Sequence, residues 1–143
     1  MSPILPLELK SSKPQHLRYP TQILTVGDEV RKARIDRGLT QQEVGQRIGV
    51  SRNFVYELEL NQHELTIYSL HKSYQFLQYL PETLKIDEST LRGKLYTYRI
   101  RNGYSYAIVA DKISLDKSTL AHFERGGNVK KGTNAKICDY FNT

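Results

Sequence analysis

Displaced against itself by sixty-five positions, the chain aligns residues 25–60 with residues 90–125 without a gap. The identical pairs are Thr25/Thr90, Arg34/Arg99, Ile35/Ile100, Gly38/Gly103, Val44/Val109, Ile48/Ile113 and Glu59/Glu124. Chemical type persists at Val30/Leu95, Thr40/Ser105, Arg47/Lys112, Val55/Leu120 and Leu58/Phe123. An internal repeat of this kind means that one small unit is folded twice, so what limits one copy limits both.

The repeated unit reads as helix, turn, helix, followed by a third helix. Thr25 and Thr90 suit the N-cap of a first helix, whose apolar residues recur at helical spacing up to Gly38 and Gly103. Thr40 with Glu43 has the capping-box pattern for a second helix; the later copy keeps only the hydroxyl, Ser105, with Ile108 where the Glu stood. Gly45 or Ala110 is small enough for a close helix crossing, and the chain then turns at Gly49 or Ser114. Ser51 and Asp116 are good N-caps for the third helix, which carries Val55 and Leu58, or Leu120 and Phe123, on its inner face. That helix ends near Asn61 in one copy and near Gly126-Gly127 in the other. Leu65 to Leu80 then predicts a closing helix through Leu70, Tyr74 and Leu77, and Ala135 to Phe141 predicts a shorter echo through Ile137, Tyr140 and Phe141.

These patterns predict an all-α chain with a flexible basic arm over 1–20, a first domain over 21–80, a linker over 81–89 and a second, more divergent domain over 90–143. Each copy spans about 55 to 65 residues, small but able to fold alone when it packs well. The arm holds four of the five prolines, and its Lys13 and Arg18 suit either a solvated tail or a minor-groove contact.

GLTQQEVGQRIGVSRNFVYELE, from Gly38 to Glu59, resembles the phage-repressor-like helix-turn-helix family, also called the XRE or Cro/CI-like family. GYSYAIVADKISLDKSTLAHFERG, from Gly103 to Gly126, is similar to it at the apolar and small positions. It departs at Tyr106, where a Gln is usual, and at Ser114, where a Gly is usual. The resemblance implies two tandem repressor-like helix-turn-helix units of about five short helices each, joined by a short linker. It implies a sequence-specific, double-stranded DNA-binding transcriptional regulator that places the third helix of each unit in the major groove.

Carried over by position, the first unit would offer Arg52, Asn53, Tyr56 and Glu57 to bases, and the second Lys117, Ser118 and His122. Arg matches guanine, Asn adenine and Glu cytosine. Thr40, Gln41, Ser51 and Ser105 would hold phosphates through side chains and helix N-termini. Arg34 with Glu59, and Arg99 with Glu124, each pair lying twenty-five residues apart, are expected as partly buried structural ion bridges. A linked pair of readers would span two groove segments about one helical turn apart on an asymmetric site.

Charge fits this reading without deciding it. The net charge is +6, with seven basic and seven acidic residues over 26–80 and eleven against seven over 81–143. A DNA face on the first unit must therefore come from placement rather than bulk charge. Lys112, Lys117, Arg125, Lys130 and Lys131 favour a reading role for the second unit, whereas its divergence favours a packing or dimerisation module. An antitoxin or protein-interaction module with secondary DNA binding is the competing reading, and a homodimer or protein partner stays open.

A single cysteine, Cys138, excludes an internal disulfide, and no apolar run approaches the ~20 residues of a membrane span. A cytoplasmic, nucleoid-associated protein is expected. His16, His63, His71 and His122 lie in unrelated settings, and no phosphate loop or nucleophile elbow is present. No enzyme activity, cofactor or metal site is expected.

Overall fold

A computed structural model describes residues 19–142, so the expected arm lies outside it apart from Tyr19 and Pro20. The described residues form eight α-helices and no strand. They are α1 (Val26–Asp36), α2 (Gln41–Ile48), α3 (Arg52–Glu59), α4 (Ile67–Leu77), α5 (Leu91–Asn102), α6 (Tyr106–Ile113), α7 (Lys117–Glu124) and α8 (Lys131–Asn142), with a 3-10 turn at Glu82–Leu84 between α4 and α5. The bounds of α2 and α6, and of α3 and α7, differ by sixty-five at both ends, the period of the sequence repeat.

Four α-helices per unit, rather than about five, are present among the described residues. The chain after α3 breaks at Asn61, whose φ is 61°, and the chain after α7 breaks at Gly126, whose φ is 98°. Each break leads through a loop rather than another helix. The last helix, α8, begins at Lys131 and not near Ala135. Its first turn, Lys131 to Asn134, contains no apolar residue, so nothing in the pattern announces it.

Local chemistry sets the helix ends. Thr25 Oγ1 accepts from Asp28 N at 3.0 Å while Asp28 Oδ2 accepts from Thr25 N at 3.2 Å, which makes α1 begin with a reciprocal cap. Thr40 and Glu43 do the same for α2. Gly49 and Ser114 both close their helices in the left-handed region, at φ 75° and 64°. Serine carries a steric penalty there that glycine escapes. Ser114→Gly is therefore expected to stabilise the protein by ~1 kcal/mol, read as a higher melting temperature.

Two hydrophobic clusters result. The first gathers Val30, Val44, Val55, Leu58, Leu70 and Leu77; the second gathers Leu95, Val109, Ile113, Leu120, Phe123 and Ile137. They are not independent, because Ile100 of α5 is 0% exposed inside the first cluster, against which Leu84, Ile86 and Tyr96 also pack. Helices α4 and α5 lie against each other, and His71 Nδ1 sits 2.8 Å from Ile100 O across that contact. A Cβ at Gly103 would come within 2.8 Å of the His71 ring, so glycine is needed there for its small size as well as its φ of 69°.

The segment expected as a spacer over 81–89 is likewise packed. Buried Glu29 of α1 accepts from Glu82 N at 2.9 Å and from Thr83 N at 2.8 Å. A carboxylate taking two backbone N–H groups makes a charge-assisted cap for the 3-10 turn. Glu29→Ala should lower stability by ~2 kcal/mol, seen as a lower urea midpoint, and should speed proteolysis between Pro81 and Thr90. No helix among the described residues is long and apolar enough to cross a membrane.

Candidate nucleic-acid interface

Helix α3 is held by its inner side chains. Val55 is 0% and Leu58 2% exposed, which turns positions 52, 53, 56 and 57 outward by the 3.6-residue period. Ser51 Oγ accepts from Phe54 N at 3.0 Å and fixes the start. Ser51, Arg52 and Asn53 are exposed, whereas Tyr56 and Glu57 are half-buried. Arg52 and Asn53 make no side-chain hydrogen bond or ion pair among the described residues, so their polar groups face solvent. Glu57 instead has a neighbour, with Oε1 3.4 Å from His63 Nε2.

The base of α3 is clamped to α1. Arg34 Nε donates to Glu59 Oε2 at 2.6 Å and Arg34 Nη2 donates to Glu59 Oε1 at 2.9 Å. Arg34 Nη1 also donates to Leu39 O at 3.0 Å, so one guanidinium fixes α1, the α1–α2 turn and α3 together. Glu59 is 1% exposed. Gln41, expected at phosphates, has its amide nitrogen turned inward and donating to Glu59 Oε1 at 3.2 Å. Thr40 stays exposed at the start of α2, its Oγ1 accepting from Glu43 N at 3.1 Å. The backbone N–H and hydroxyl of Thr40 hold the Glu43 carboxyl below its ordinary pKa.

The second unit rebuilds the clamp with different chemistry. Arg99 Nη1 donates to Glu124 Oε1, and Arg99 Nε donates to Tyr104 O at 3.2 Å, the position equivalent to Leu39. Tyr106 OH donates to Glu124 Oε1 at 2.6 Å, and the Arg99 guanidinium lies 3.7 Å from the centroid of the Tyr106 ring. Tyr106, the departure from the expected Gln, thus supplies the donor that Gln41 supplies in the first unit and adds a cation–π contact. Sequence comparison by residue type hides this, since amide and phenol look unlike yet both donate. Glu124 Oε2 is buried without a partner. Burial raises the Glu124 pKa, against the opposing pull of Tyr106 and Arg99.

On α7, Lys117, Ser118 and His122 are exposed. Asp116 Oδ2 accepts from Ser118 N at 2.9 Å and from Thr119 N at 3.4 Å, so the cap is occupied by a carboxylate. Ser105 is half-buried, its Oγ accepting from Ile108 N at 3.3 Å. A groove of about 540 Å³ runs beside α7, lined by Ser118, His122, Asn128, Lys130 and Thr133. Asn128 and Thr133 carry no periodic or motif signal and are placed here only by the fold. No group of three or more His, Cys, Asp or Glu side chains among the described residues could hold a metal ion.

Two helices joined by a tight glycine turn, the second presenting an open polar N-terminal face, define a helix-turn-helix DNA-binding domain. Residues 30–72 match the family model HTH_3, described as helix-turn-helix, a stretch that begins within α1 and ends within α4. The first unit is accordingly an XRE-type helix-turn-helix domain of the kind found in DNA-binding regulators. No curated protein and no solved structure matches the chain.

Proposed function

We propose that the chain is a sequence-specific transcriptional regulator, acting in the cytoplasm at the nucleoid, that reads the major groove of double-stranded DNA with α3. The observation that carries this is the exposed Ser51, Arg52 and Asn53 face at the start of α3, on a helix anchored by the Arg34–Glu59 bridge. Arg52 suits guanine, Asn53 adenine and Glu57 cytosine, with Tyr56 beside the groove wall. Thr40 and Ser51 contact phosphate from two helix N-termini.

In this reading residues 21–80 and 90–143 are two helix-turn-helix domains, and α7 is the second reader through Lys117, Ser118 and His122. Ser105 takes the phosphate position of Thr40. The unlike reading helices predict an asymmetric site in two parts about one helical turn apart. Selection from random duplex DNA tests this: enrichment of such a site, with affinity falling steeply as salt rises, is the expected result. Enrichment of no sequence would overturn the reading, and a perfect palindrome bound by two chains would overturn the asymmetric form.

One observation favours a protein-docking role for the second unit instead. Ile108 is 44% exposed beside exposed Ala107, at the start of α6 where a reader would meet phosphates. Lys117→Ala with His122→Ala decides between the two. A reader loses binding to the full site and keeps binding to the half-site of the first unit, whereas a docking module changes neither.

A further inference from the structure

Glu57 is the carboxylate on the outer face of α3, and a carboxylate facing phosphates opposes binding unless a cation or donor stands beside it. His63, in the loop between α3 and α4, stands beside this carboxylate. Its Nε2 lies 3.4 Å from Glu57 Oε1, and its ring stacks on Phe54 of α3 at 4.7 Å between centroids. Phe54 in turn meets the edge of Tyr68 of α4 at 5.8 Å and 89°. The imidazole is therefore braced on one side by an aromatic pair while its Nε2 faces the carboxylate. That Nε2 is buried and makes no hydrogen bond among the described residues, so its 3.4 Å approach to Glu57 is a polar contact rather than a hydrogen bond. Lys72, near Tyr68 at 5.5 Å, donates to Ile48 O at 2.8 Å and is engaged elsewhere.

The repeat supplies an internal comparison. The position of Glu57 is held by His122 in the second unit, and that of His63 by Asn128. One copy removes the carboxylate from the outer face of its third helix, while the other keeps it and sets an imidazole against it. Neither copy presents a lone carboxylate at that position.

We infer that His63 is a positioning residue for Glu57: its braced ring packs beside the carboxylate, restricts where it sits on the outer face of α3, and so fixes the preference of the first unit at one base pair. This rests on the DNA reading proposed above. The chemistry of the base is set by the acceptor, since a carboxylate takes the exocyclic amine of cytosine.

The test is binding-site selection with the full chain, followed by affinity measurements on the wild-type site. The chains compared are the wild type, His63→Ala, His63→Phe, Glu57→Ala and the His63→Ala/Glu57→Ala double variant. His63→Phe keeps a ring on Phe54 but removes the polar nitrogen, so it separates bracing from positioning. Both single His63 variants should bind the wild-type site about tenfold more weakly and lose preference at one position, the same position that Glu57→Ala relaxes. In the Glu57→Ala background, removing His63 should change affinity less than about twofold, because nothing remains to position. A uniform loss on all sequences that persists in that background, or a His63→Phe chain that keeps the wild-type preference, overturns the inference while leaving the DNA reading intact. A wild-type chain that selects no sequence overturns both.

Discussion

Glu59→Ala lowers the stability of the protein by ~3 kcal/mol and its melting temperature by ~10 °C. Both carboxylate oxygens of Glu59 are bonded to Arg34, and Oε1 also to Gln41. Removing the carboxylate leaves buried Arg34, 8% exposed as a residue, with Leu39 O as its remaining bond among the described residues. A buried cation stripped of its partner is far costlier than the net worth of the pair, because desolvation is no longer offset. Thermal unfolding of the variant checks this, and an unchanged melting temperature would refute the clamp.

Glu124→Ala in the second unit should cost less, ~1 to 2 kcal/mol, since Glu124 Oε2 has no partner to lose. Glu124 also makes stability depend on pH. Burial raises the folded-state pKa of Glu124, so the folded protein binds the extra proton between the ordinary carboxyl value of ~4.3 and the raised one. The stability this group contributes is full below that window and is lost as pH rises through it. Glu124→Gln should flatten this slope in a pH series of melts.

On the proposed DNA reading, Arg52→Ala with Asn53→Ala should abolish selective binding, with a loss of about a hundredfold or more on the selected site. Both side chains are exposed and make no hydrogen bond or ion pair among the described residues, so stability should change by less than ~0.5 kcal/mol. Residual binding to random duplex should persist with nearly the wild-type salt slope apart from the one cation removed, because most phosphate contacts survive. A variant that still prefers the wild-type site would show that another surface reads the bases. A variant that loses random-sequence binding to the same degree would show that the pair supplies charge rather than discrimination.

Much of this arrangement is legible in the amino acids because it depends on local chemistry. Thr25, Thr40, Ser51, Ser105 and Asp116 cap where hydroxyl and carboxylate caps are expected, and Gly38, Gly49 and Gly103 adopt the positive φ their positions demand. What stays hidden is set by tertiary contact. Ile35 and Ile100 are identical under the repeat, yet Ile35 is half-buried and Ile100 fully enclosed, since α4 packs on α5 and so covers Ile100. Leu84 and Ile86 form too short a pattern to carry a period, and their anchor, Glu29, lies more than fifty residues away. Gln41 reads as a phosphate ligand by position, but a carboxylate from α3 claims its amide nitrogen first. On the outer face of α3, the exposed tip at Arg52 and Asn53 follows directly from helical spacing, whereas the pairing of Glu57 with His63 depends on how the following loop folds back.

The insertion of Ile100 into the earlier half makes the duplication a welded object rather than beads on a string. Severing the backbone between Leu80 and Thr90 would leave an oily socket on one fragment and a bare plug on the other. If both third helices read DNA as proposed, their ends are thereby denied free swivel, and their angular offset becomes a built-in ruler against which only certain operator spacings fit.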